Sequence, residues 1–258
     1  MSRHFIVCIK AVMLEAPKGK AFRSVESCDL NPFDRPALEV AIRLREELGG
    51  QVTALSMGPD SCTFALCDAL AMGVDRGVLI SDPAFGGSDT IATSTVLAAA
   101  IKKLSPCDSL FFGVRTADSD TAQVGPQTAA LLNLPLVSGV HAIETKTDGL
   151  TVERRSDGFS ETYNISFPAA LTIHPSAVQP RDAALMGIAD AYEASEIETW
   201  NMADLSLSSE EVGESGSPTR VATLSQVVKE RKCEFVDGEP EQQAEKLIQH
   251  LLEAGLIG

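Results

Sequence analysis

A polar stretch, GVRTADSDTAQVGPQ at residues 113–127, lies between two apolar segments of the chain. It follows SLFFG, whose composition is typical of a buried strand, and it precedes the apolar helical sequence TAALLNL. Its hydroxyl, carboxylate and guanidinium groups are suited to holding an anion or a nucleotide rather than to filling a core. We predict that the stretch opens a helix at residues 118–121, where free backbone N–H groups favour negative charge.

A second segment with binding chemistry is DPAFGGSDTIATS, residues 82–94. Its glycine pair lets the backbone approach a ligand closely, and Ser88 or Asp89 can cap the helix that follows. Hydroxyl side chains then recur at i, i+3 and i+4, on one face of the first helical turns. The residues of this pattern are Thr90, Thr93 and Ser94. The segment predicts a phosphate site, and the alternative is a helix that is merely well capped.

The sequence lacks two familiar phosphate-binding motifs. It has no GxGxxG and no Walker lysine, so the usual dinucleotide and P-loop interpretations fail. GGSDT is similar to the SGGxDS loop of ATP pyrophosphatases, but it follows the third predicted strand rather than the first. A stand-alone adenine-nucleotide enzyme is therefore kept as an alternative with weak support.

Strand and helix patterns alternate along the first half of the chain. Strands are predicted at HFIVCIK, QVTALSM, DRGVLIS, CDSLFFG and LVSGVHAIE. Helices are predicted at DRPALEVAIRLREELGG, SCTFALCDALAMG, SDTIATSTVLAAAIKKL and DTAQVGPQTAALLNL. This order indicates an α/β fold with a doubly wound, mostly parallel sheet covered by helices on both faces. Ligands of such sheets bind at the loops beyond the carboxyl ends of the strands, where both polar segments are expected to lie.

The pattern changes after about residue 145. A β-hairpin is predicted to turn near Ser156-Asp157-Gly158, followed by a strand at PAALTIHP and a helix at RDAALMGIADAYEAS. Residues 203–219 are rich in Ser, Gly and Glu, which predicts a linker or arm. The chain ends in an amphipathic helix with an apolar stripe of Ala244, Leu247, Ile248 and Leu251. We therefore expect an α/β domain at residues 1–192, and at 193–258 an arm and helix that cover a partner subunit or the chain's own domain.

Composition limits the classes of function. The 258 residues are 44% hydrophobic, enough for a real core, and the formal net charge of -15 argues against binding to nucleic acid. No apolar stretch approaches the ~20 residues that span a bilayer, and the first apolar run is too short for a signal peptide. The six cysteines and four histidines show no spacing typical of a metal site, a disulfide framework or a catalytic triad. We expect a cytoplasmic protein without membrane insertion.

With these stretches in order, the chain resembles the beta subunit of electron transfer flavoproteins. The matching stretches are NPFD with the helix ALEVAIRLREE, VTALSMGP, ALAMGVDRGVLISD, DTIATS and DSDTAQVGPQTAALL. Weaker agreement continues through LTVERR, PAALTI, QPR and GSPTRV, so the resemblance covers nearly the whole chain. It implies a Rossmann-like, adenine-nucleotide-binding domain that forms a heterodimer with an alpha subunit carrying an FAD.

The resemblance also implies which residues contact the nucleotide. The family's contact positions fall at two strand ends, in NPFD and along the polar loop, where Arg115 keeps a positive charge near the phosphates. These residues are Cys8, Asn31, Pro32, Phe33, Asp34, Met57, Gly113, Arg115, Thr116, Ala117, Asp118, Asp120, Thr121, Ala122, Gln123 and Val124.

The ligand of this site differs between branches of the family. Simple members hold a structural AMP and usually carry an asparagine–glutamine–threonine run where this chain reads AQVGP. The forms DTAQVGP, GGSDTIATS and GSPTRV are similar to the electron-bifurcating branch, in which a second FAD replaces AMP and takes a hydride from NADH. That branch would place Asp89, Thr90, Thr93 and Ser94 at the pyrophosphate and flavin. The flavin would carry the redox chemistry, and no side chain need act as acid, base or nucleophile.

A partner surface is also implied. The family stretch after a proline–arginine pair presents a leucine to a flavin-containing dehydrogenase and usually ends in several lysines. Here Pro180-Arg181 is followed by Leu185 at the matching place, with acidic residues instead of lysines. This puts the usual acyl-CoA dehydrogenase docking in doubt and favours a dedicated dehydrogenase with a basic surface. A simple AMP-holding carrier and a scaffold subunit with an empty site remain alternatives.

Overall fold

The computed structural model describes residues 3–13, 28–193, 196–223 and 233–257. The chain divides into two compact units, Met1–Ala222 and Thr223–Gly258. The strands are β1 (His4–Ile9), β2 (Ala11–Met13), β3 (Cys28–Leu30), β4 (Gln51–Met57), β5 (Arg76–Ile80), β6 (Ser109–Gly113), β7 (Leu136–Lys146), β8 (Gly149–Ser156), β9 (Phe159–Ser166), β10 (Ala169–Ile173) and β11 (Glu198–Trp200). The helices are α1 (Arg35–Leu48), α2 (Thr63–Ala71), α3 (Thr90–Leu104), α4 (Val124–Leu131), α5 (Leu185–Glu193) and α6 (Pro240–Glu253).

Within the described residues, nine strands form one sheet in the order β11-β5-β4-β1-β6-β10-β7-β8-β9. Every pairing from β11 to β7 is parallel, and only the pairings of β8 with β7 and β9 are antiparallel. The mostly parallel α/β sheet predicted from the alternating pattern is confirmed. The β8–β9 hairpin is confirmed as well, with Asp157 and Gly158 at φ 50° and 82°, as a tight turn of the primed class requires.

Strand β1 is buried along its whole length because the sheet has a core on each face. Its alternate side chains belong to different cores: Phe5, Val7 and Ile9 pack with α1 and α2, whereas Ile6 and Cys8 pack with α3 and α4. This two-sided packing is the doubly wound arrangement, and it leaves the strand ends as the place where loops meet.

Helix α4 begins later than the sequence predicted. The helix was expected to open at residues 118–121, but its first residue is Val124. Asp120 and Ala122 have φ angles of 49° and 55°, in the left-handed region. Two left-handed residues interrupt the right-handed helical path, so residues 114–123 form an open loop in front of α4.

Composition predicted a linker or arm at residues 203–219, and the structure packs this segment against the core that α3 lines. Leu205 and Val212 are buried in the core shared with α3, and Ser217 is buried as well. Just before this segment, β11 adds to the edge of the sheet beside β5. The boundary expected at residue 192 therefore lies inside the first unit, because polar sequence can still cover a helix when its few apolar residues face inward.

The second unit contains α6, which confirms the predicted C-terminal helix. Two residues of its predicted stripe, Leu247 and Ile248, are exposed, as is Leu252 beside it. No helix among the described residues combines the length and the apolar character needed to cross a membrane.

Candidate functional site

The candidate site lies at the carboxyl ends of β1, β4 and β6. Strand β1 has β4 on one side and β6 on the other, and all three run parallel. The chain thus leaves the centre of the sheet in opposite directions, which is the switch point where doubly wound sheets bind ligands. Cys8, Met57 and Gly113 occupy the last positions of these strands or the ones next to them, so the structure brings these three predicted residues to one edge.

Two buried side chains of NPFD organise this edge. Asn31 Nδ2 donates to Asp34 Oδ1 at 2.8 Å, and the backbone N–H of Lys10 donates to Asp34 Oδ2 at 2.8 Å. The same Asn31 amide reaches the polar loop, donating to the Arg115 carbonyl at 2.9 Å and accepting from Ala117 N–H at 3.2 Å. Asn31 and Asp34 thereby join the ends of β1 and β6 to the start of α1.

Gly113 is required by this arrangement. A Cβ at this position would clash with Asp34 Oδ1 and would lie 2.7 Å from the carbonyl carbon of Phe33. A side chain at the end of β6 would therefore push the polar loop away from NPFD. The packing explains why a glycine ends this strand without any need for a left-handed backbone.

The buried carboxyl of Asp34 is electrostatically unusual. Burial raises its pKa to about 7, although hydrogen bonds from the Lys10 backbone, Asn31 and the Gly113 backbone favour the ionised form. Desolvation thus outweighs three donors. Asp34 also contributes, after burial itself, to raising the pKa of the Cys8 thiol well above its ordinary value, so Cys8 is held as a neutral, packed thiol.

The first half of the polar loop is tied down by ion pairs and ring contacts. Lys10 Nζ lies 2.7 Å from Asp118 Oδ1, and Thr116 and Ser119 share a hydroxyl hydrogen bond of 2.9 Å. The Arg115 guanidinium lies 4.5 Å from the centre of the Phe33 ring. Its contact with Asp120 Oδ2 is longer, at 3.5 Å. Lys10 was missed by the sequence analysis, and its position directly after a buried strand was the available signal.

The second half of the loop is open. Thr121, Ala122 and Gln123 are exposed, and Gln123, at the N-cap of α4, makes no side-chain capping bond. The first N–H groups of a helix have no partner within the helix itself. Together with the left-handed backbone of Ala122, this makes the start of α4 an uncapped end at the ligand edge.

The start of α3, by contrast, is capped by a side chain. Asp89 Oδ1 accepts from the backbone N–H groups of Ile91 and Ala92 at 2.9 and 3.0 Å. Its Oδ2 accepts from the backbone and hydroxyl of Thr219 at 3.0 and 2.8 Å, and its own N–H donates to Ser217 Oγ at 2.8 Å. Of the two cap residues predicted, Ser88 and Asp89, the structure uses Asp89. Although burial acts to raise the pKa of its carboxyl, the donors from Ala92, Thr219 and Ile91 hold that pKa below its usual value.

The hydroxyls of the first turns of α3 fall into two groups. Ser94 is buried, and its Oγ lies 2.7 Å from the Thr90 carbonyl and 3.2 Å from the Val124 carbonyl, which joins α3 to α4. Thr90 and Thr93 are partly exposed, and neither hydroxyl has a hydrogen-bond partner among the described residues. Both threonines therefore offer free hydroxyl donors at this edge.

A cavity of about 410 Å³ borders the site at Phe33 and Arg115. Its lining residues are Phe33, Val114, Arg115, His174 and Pro175. The ring of His174 stacks on that of His141 with centroids 3.9 Å apart, and Nδ1 of each ring contacts Ser176 Oγ. Burial, His141 and Arg115 lower the pKa of His174. Two of the four histidines are thus paired. No cluster in the described part of the chain could hold a metal ion.

The predicted partner-contact residue lies away from this edge. Leu185, the first residue of α5, is 86% exposed, and Met186 beside it is 72% exposed. Asp190 and Glu193 follow on the same short helix. An exposed apolar pair with acidic neighbours is the kind of surface that contacts another protein.

The fold and site define a doubly wound α/β domain with a polar ligand edge at its switch point. Comparison with known proteins agrees with that class. The electron transfer flavoprotein domain matches residues 23–205. Similar proteins include the electron transfer flavoprotein subunit beta of Thermoanaerobacterium thermosaccharolyticum, 40% identical over 86% of this chain and 85% of the relative. The caffeyl-CoA reductase-Etf complex subunit CarD of Acetobacterium woodii is 39% identical over 84% of this chain and 85% of the relative.

A third relative is the acryloyl-CoA reductase electron transfer subunit gamma of Anaerotignum propionicum, 41% identical over 72% of this chain and 73% of the relative. The chain belongs to the electron transfer flavoprotein family, among its beta subunits. The resemblance inferred from NPFD, ALAMGVDR and DTAQVGP is therefore confirmed.

Proposed function

We propose that the chain pairs with an electron transfer flavoprotein alpha subunit and holds an FAD at the carboxyl edge of its sheet. In this role the complex passes electrons between NADH, a flavin-containing dehydrogenase and other acceptors, by flavin-based electron bifurcation. The flavin, when bound, supplies the redox chemistry. The chain's own residues bind it, orient it and set its surroundings.

The observation that carries this proposal is the pair of helix starts at the ligand edge. A pyrophosphate needs N–H and hydroxyl donors. The open start of α4 lies beside the first turns of α3, whose Thr90 and Thr93 hydroxyls have no partner among the residues that the structure describes. Gln123 and Val124 would meet the phosphates through backbone N–H groups. The chemistry of these donors fits a pyrophosphate, because neutral donors and a helix end stabilise its charge without a buried cation.

The remaining predicted residues suit the adenosine end of the ligand. Cys8, Met57 and the NPFD loop border the same edge, and the backbone of residues 113–117 is held there by Asn31. In this proposal Asn31 and Asp34 shape the pocket, while Asp118 and Asp120 lie in the loop that encloses it. Asp89 acts through the α3 cap, because its carboxylate is already engaged by four donors.

The relatives favour the bifurcating role over simple electron carriage. Two of them are named as parts of a caffeyl-CoA reductase complex and of an acryloyl-CoA reductase, which are CoA-ester reductases. By similarity, we propose that this chain works with a dehydrogenase or reductase of that chemical class. NADH would be the electron donor.

Flavin counting tests the cofactor assignment. The heterodimer is purified with its alpha subunit, denatured, and its released flavin and adenine nucleotides are quantified. We expect two FAD per heterodimer and bleaching of the flavin absorbance by NADH. One FAD with one AMP, and no bleaching by NADH, would overturn the FAD assignment in favour of the simple carrier.

Charge reversal on the acidic surface near α5 tests the partner assignment. Reversing Glu193 and Glu196 to lysine should impair electron transfer to the natural dehydrogenase, because a basic partner surface would then face like charge. A matched control reverses Glu153 and Asp148, which lie on and beside the β8 strand and change the net charge equally. Equal rates for both variants and the unmodified complex would contradict a basic docking surface.

A further inference from the structure

The segment that carries Leu185 is held at both ends. We call residues 182–193 the docking segment, since the proposed function assigns Leu185 to partner contact. At its far end Tyr192 Oη donates to Asp68 Oδ1 of α2 at 2.8 Å. In between, Gly187 passes so close to α2 that a Cβ would lie 2.8 Å from the Ala71 carbonyl oxygen. Helix α5 is thus packed tightly on α2 while Leu185 stays exposed.

The near end of the docking segment is fixed by Arg181. Its backbone N–H and Nε donate to Glu39 Oε2 at 3.1 and 2.8 Å. Its Nη1 and Nη2 donate to the two carboxylate oxygens of Glu46 at 2.7 and 3.1 Å. One guanidinium thereby bridges two carboxylates that lie about two turns apart on α1. The planar fork of arginine permits this geometry and a lysine ammonium does not.

Glu39 is buried among the apolar residues of α1, so its carboxylate depends on the guanidinium partners that reach it. Burial acts to raise the pKa of its carboxyl, but hydrogen bonds from Arg181 and Arg43 hold that pKa below its usual value. A buried carboxylate is costly without its partners, so the chain has a strong electrostatic reason to keep Arg181 in this one place. The position of Arg181 in turn fixes where the chain enters the docking segment, four residues before Leu185.

We propose that Arg181 is a positioning residue for partner docking: clamped to Glu39 and Glu46, it sets the place and orientation of the exposed Leu185–Met186 pair. Arg181 does not itself touch the partner in this proposal. Arg181 reduces the loss of conformational entropy on docking, because the docking segment is already ordered before the partner binds. The inference rests on the proposed docking role of Leu185.

The decisive comparison is Arg181→Met against Arg43→Met in the intact heterodimer. Both variants remove one guanidinium partner of Glu39 and change the net charge equally, but Arg43 lies within α1 and does not hold the docking segment. The probe is a purified flavin-containing CoA-ester reductase, the partner class of the proposed function, that exchanges electrons with the unmodified complex. We expect R181M to raise the KM for this partner about tenfold with kcat within about twofold, and R43M to leave both within about twofold.

A double-mutant cycle separates this inference from the proposed function. Leu185→Ala alone should raise the same KM, and R181M should add little to L185A, because Arg181 acts through that side chain. If L185A leaves KM unchanged, the docking assignment fails. If L185A raises KM but R181M does not, or if the two effects multiply, the positioning role of Arg181 is wrong.

A milder variant and a structural readout keep the test valid if R181M folds poorly. Glu46→Gln breaks only the exposed half of the clamp, and Glu47→Gln on the next residue of α1 is its charge-matched control. E46Q should raise KM by a smaller factor than R181M, and backbone amides of residues 182–193 should exchange hydrogen faster than in E47Q. Equal exchange and equal KM in E46Q and E47Q would overturn the proposal.

Discussion

Helices α3 and α4 begin side by side at the ligand edge, yet their first turns are built in opposite ways. The start of α3 is closed: Asp89 caps it, and Ser217 and Thr219 from the later chain fasten that cap. The start of α4 is open, with no side-chain cap at Gln123 and a left-handed residue, Ala122, just before it. Ser94 connects the two helices through the Val124 carbonyl.

This difference indicates a division of tasks. A capped helix end has its N–H groups satisfied, so α3 serves as a fixed support that offers hydroxyls. An uncapped end keeps its N–H groups for an anion, so α4 is suited to receive the phosphates. The loop that leads into α4 must therefore be held by something other than a cap, and Asn31 and Asp34 provide that anchor.

The largest expected effect comes from Asp34, the buried carboxyl beneath the loop into α4. Its folded-state pKa of about 7 lies above the unfolded value of 3.8. Between these two pH values the Asp34 carboxyl is protonated in the folded protein and ionised in the unfolded chain. The stability that this protonation contributes is fully present below pH 3.8 and is lost as pH rises through about 7. For a shift of this size the change is on the order of 4 kcal/mol.

Asp34→Asn removes this titration, so the difference in unfolding free energy between the unmodified protein and D34N should change steadily from pH 4 to about pH 7 and level off above it. Urea unfolding at several pH values measures it. Asp157→Asn in the β8–β9 turn is the control, because asparagine tolerates its left-handed backbone equally well. A D34N difference as flat with pH as that of D157N would contradict the raised pKa.

A smaller effect is expected at the closed helix start. Asp89→Ala removes two capping bonds of α3 and two bonds to Thr219, which should lower the unfolding free energy by about 2 kcal/mol. Gln123→Ala, at the corresponding position of α4, removes no bond and should change it by less than about 0.5 kcal/mol. Chemical denaturation of both variants measures the contrast. Equal losses would mean that the two helix starts do not differ as the hydrogen bonds indicate.

Much of this architecture could be predicted from local sequence patterns. The strands with continuous apolar runs and the helices with a 3.6-residue apolar period were found at nearly their observed positions. The start of α4 was placed wrongly, because Asp120 and Ala122 adopt left-handed φ angles. Alanine has no preference for this conformation, so its sequence position did not indicate it. The burial of residues 203–219 was missed for a related reason: three buried side chains decide it, within a segment whose composition is polar.

The candidate site was predictable only in part. Its edge followed from strand order, and its residues followed from the family resemblance, but pairings across the chain could not be read from spacing. Glu39 with Arg181, Lys10 with Asp118, and Asp89 with Thr219 are contacts between residues 142, 108 and 130 positions apart. Such pairs depend on how the sheet brings distant loops together, and a single sequence contains no local signal for them.

The smallest effect separates free from engaged hydroxyls within one helix. Thr90→Val and Thr93→Val together should leave the unfolding free energy within about 0.5 kcal/mol, because the structure gives these hydroxyls no partner within its described residues and valine has a similar shape and helix propensity. Ser94→Ala should lower it by about 1 kcal/mol, since its buried hydroxyl joins α3 to α4.

FAD binding by the heterodimer should show the opposite ranking of these variants. The affinity for FAD should be about tenfold weaker in the threonine double variant, because neutral hydroxyl donors to a phosphate are lost there. Denaturation curves and equilibrium dialysis of the FAD measure the two quantities. A variant that lost stability and FAD in the same proportion would show that α3 supports the site only as a whole, and that its exposed hydroxyls have no separate part in binding.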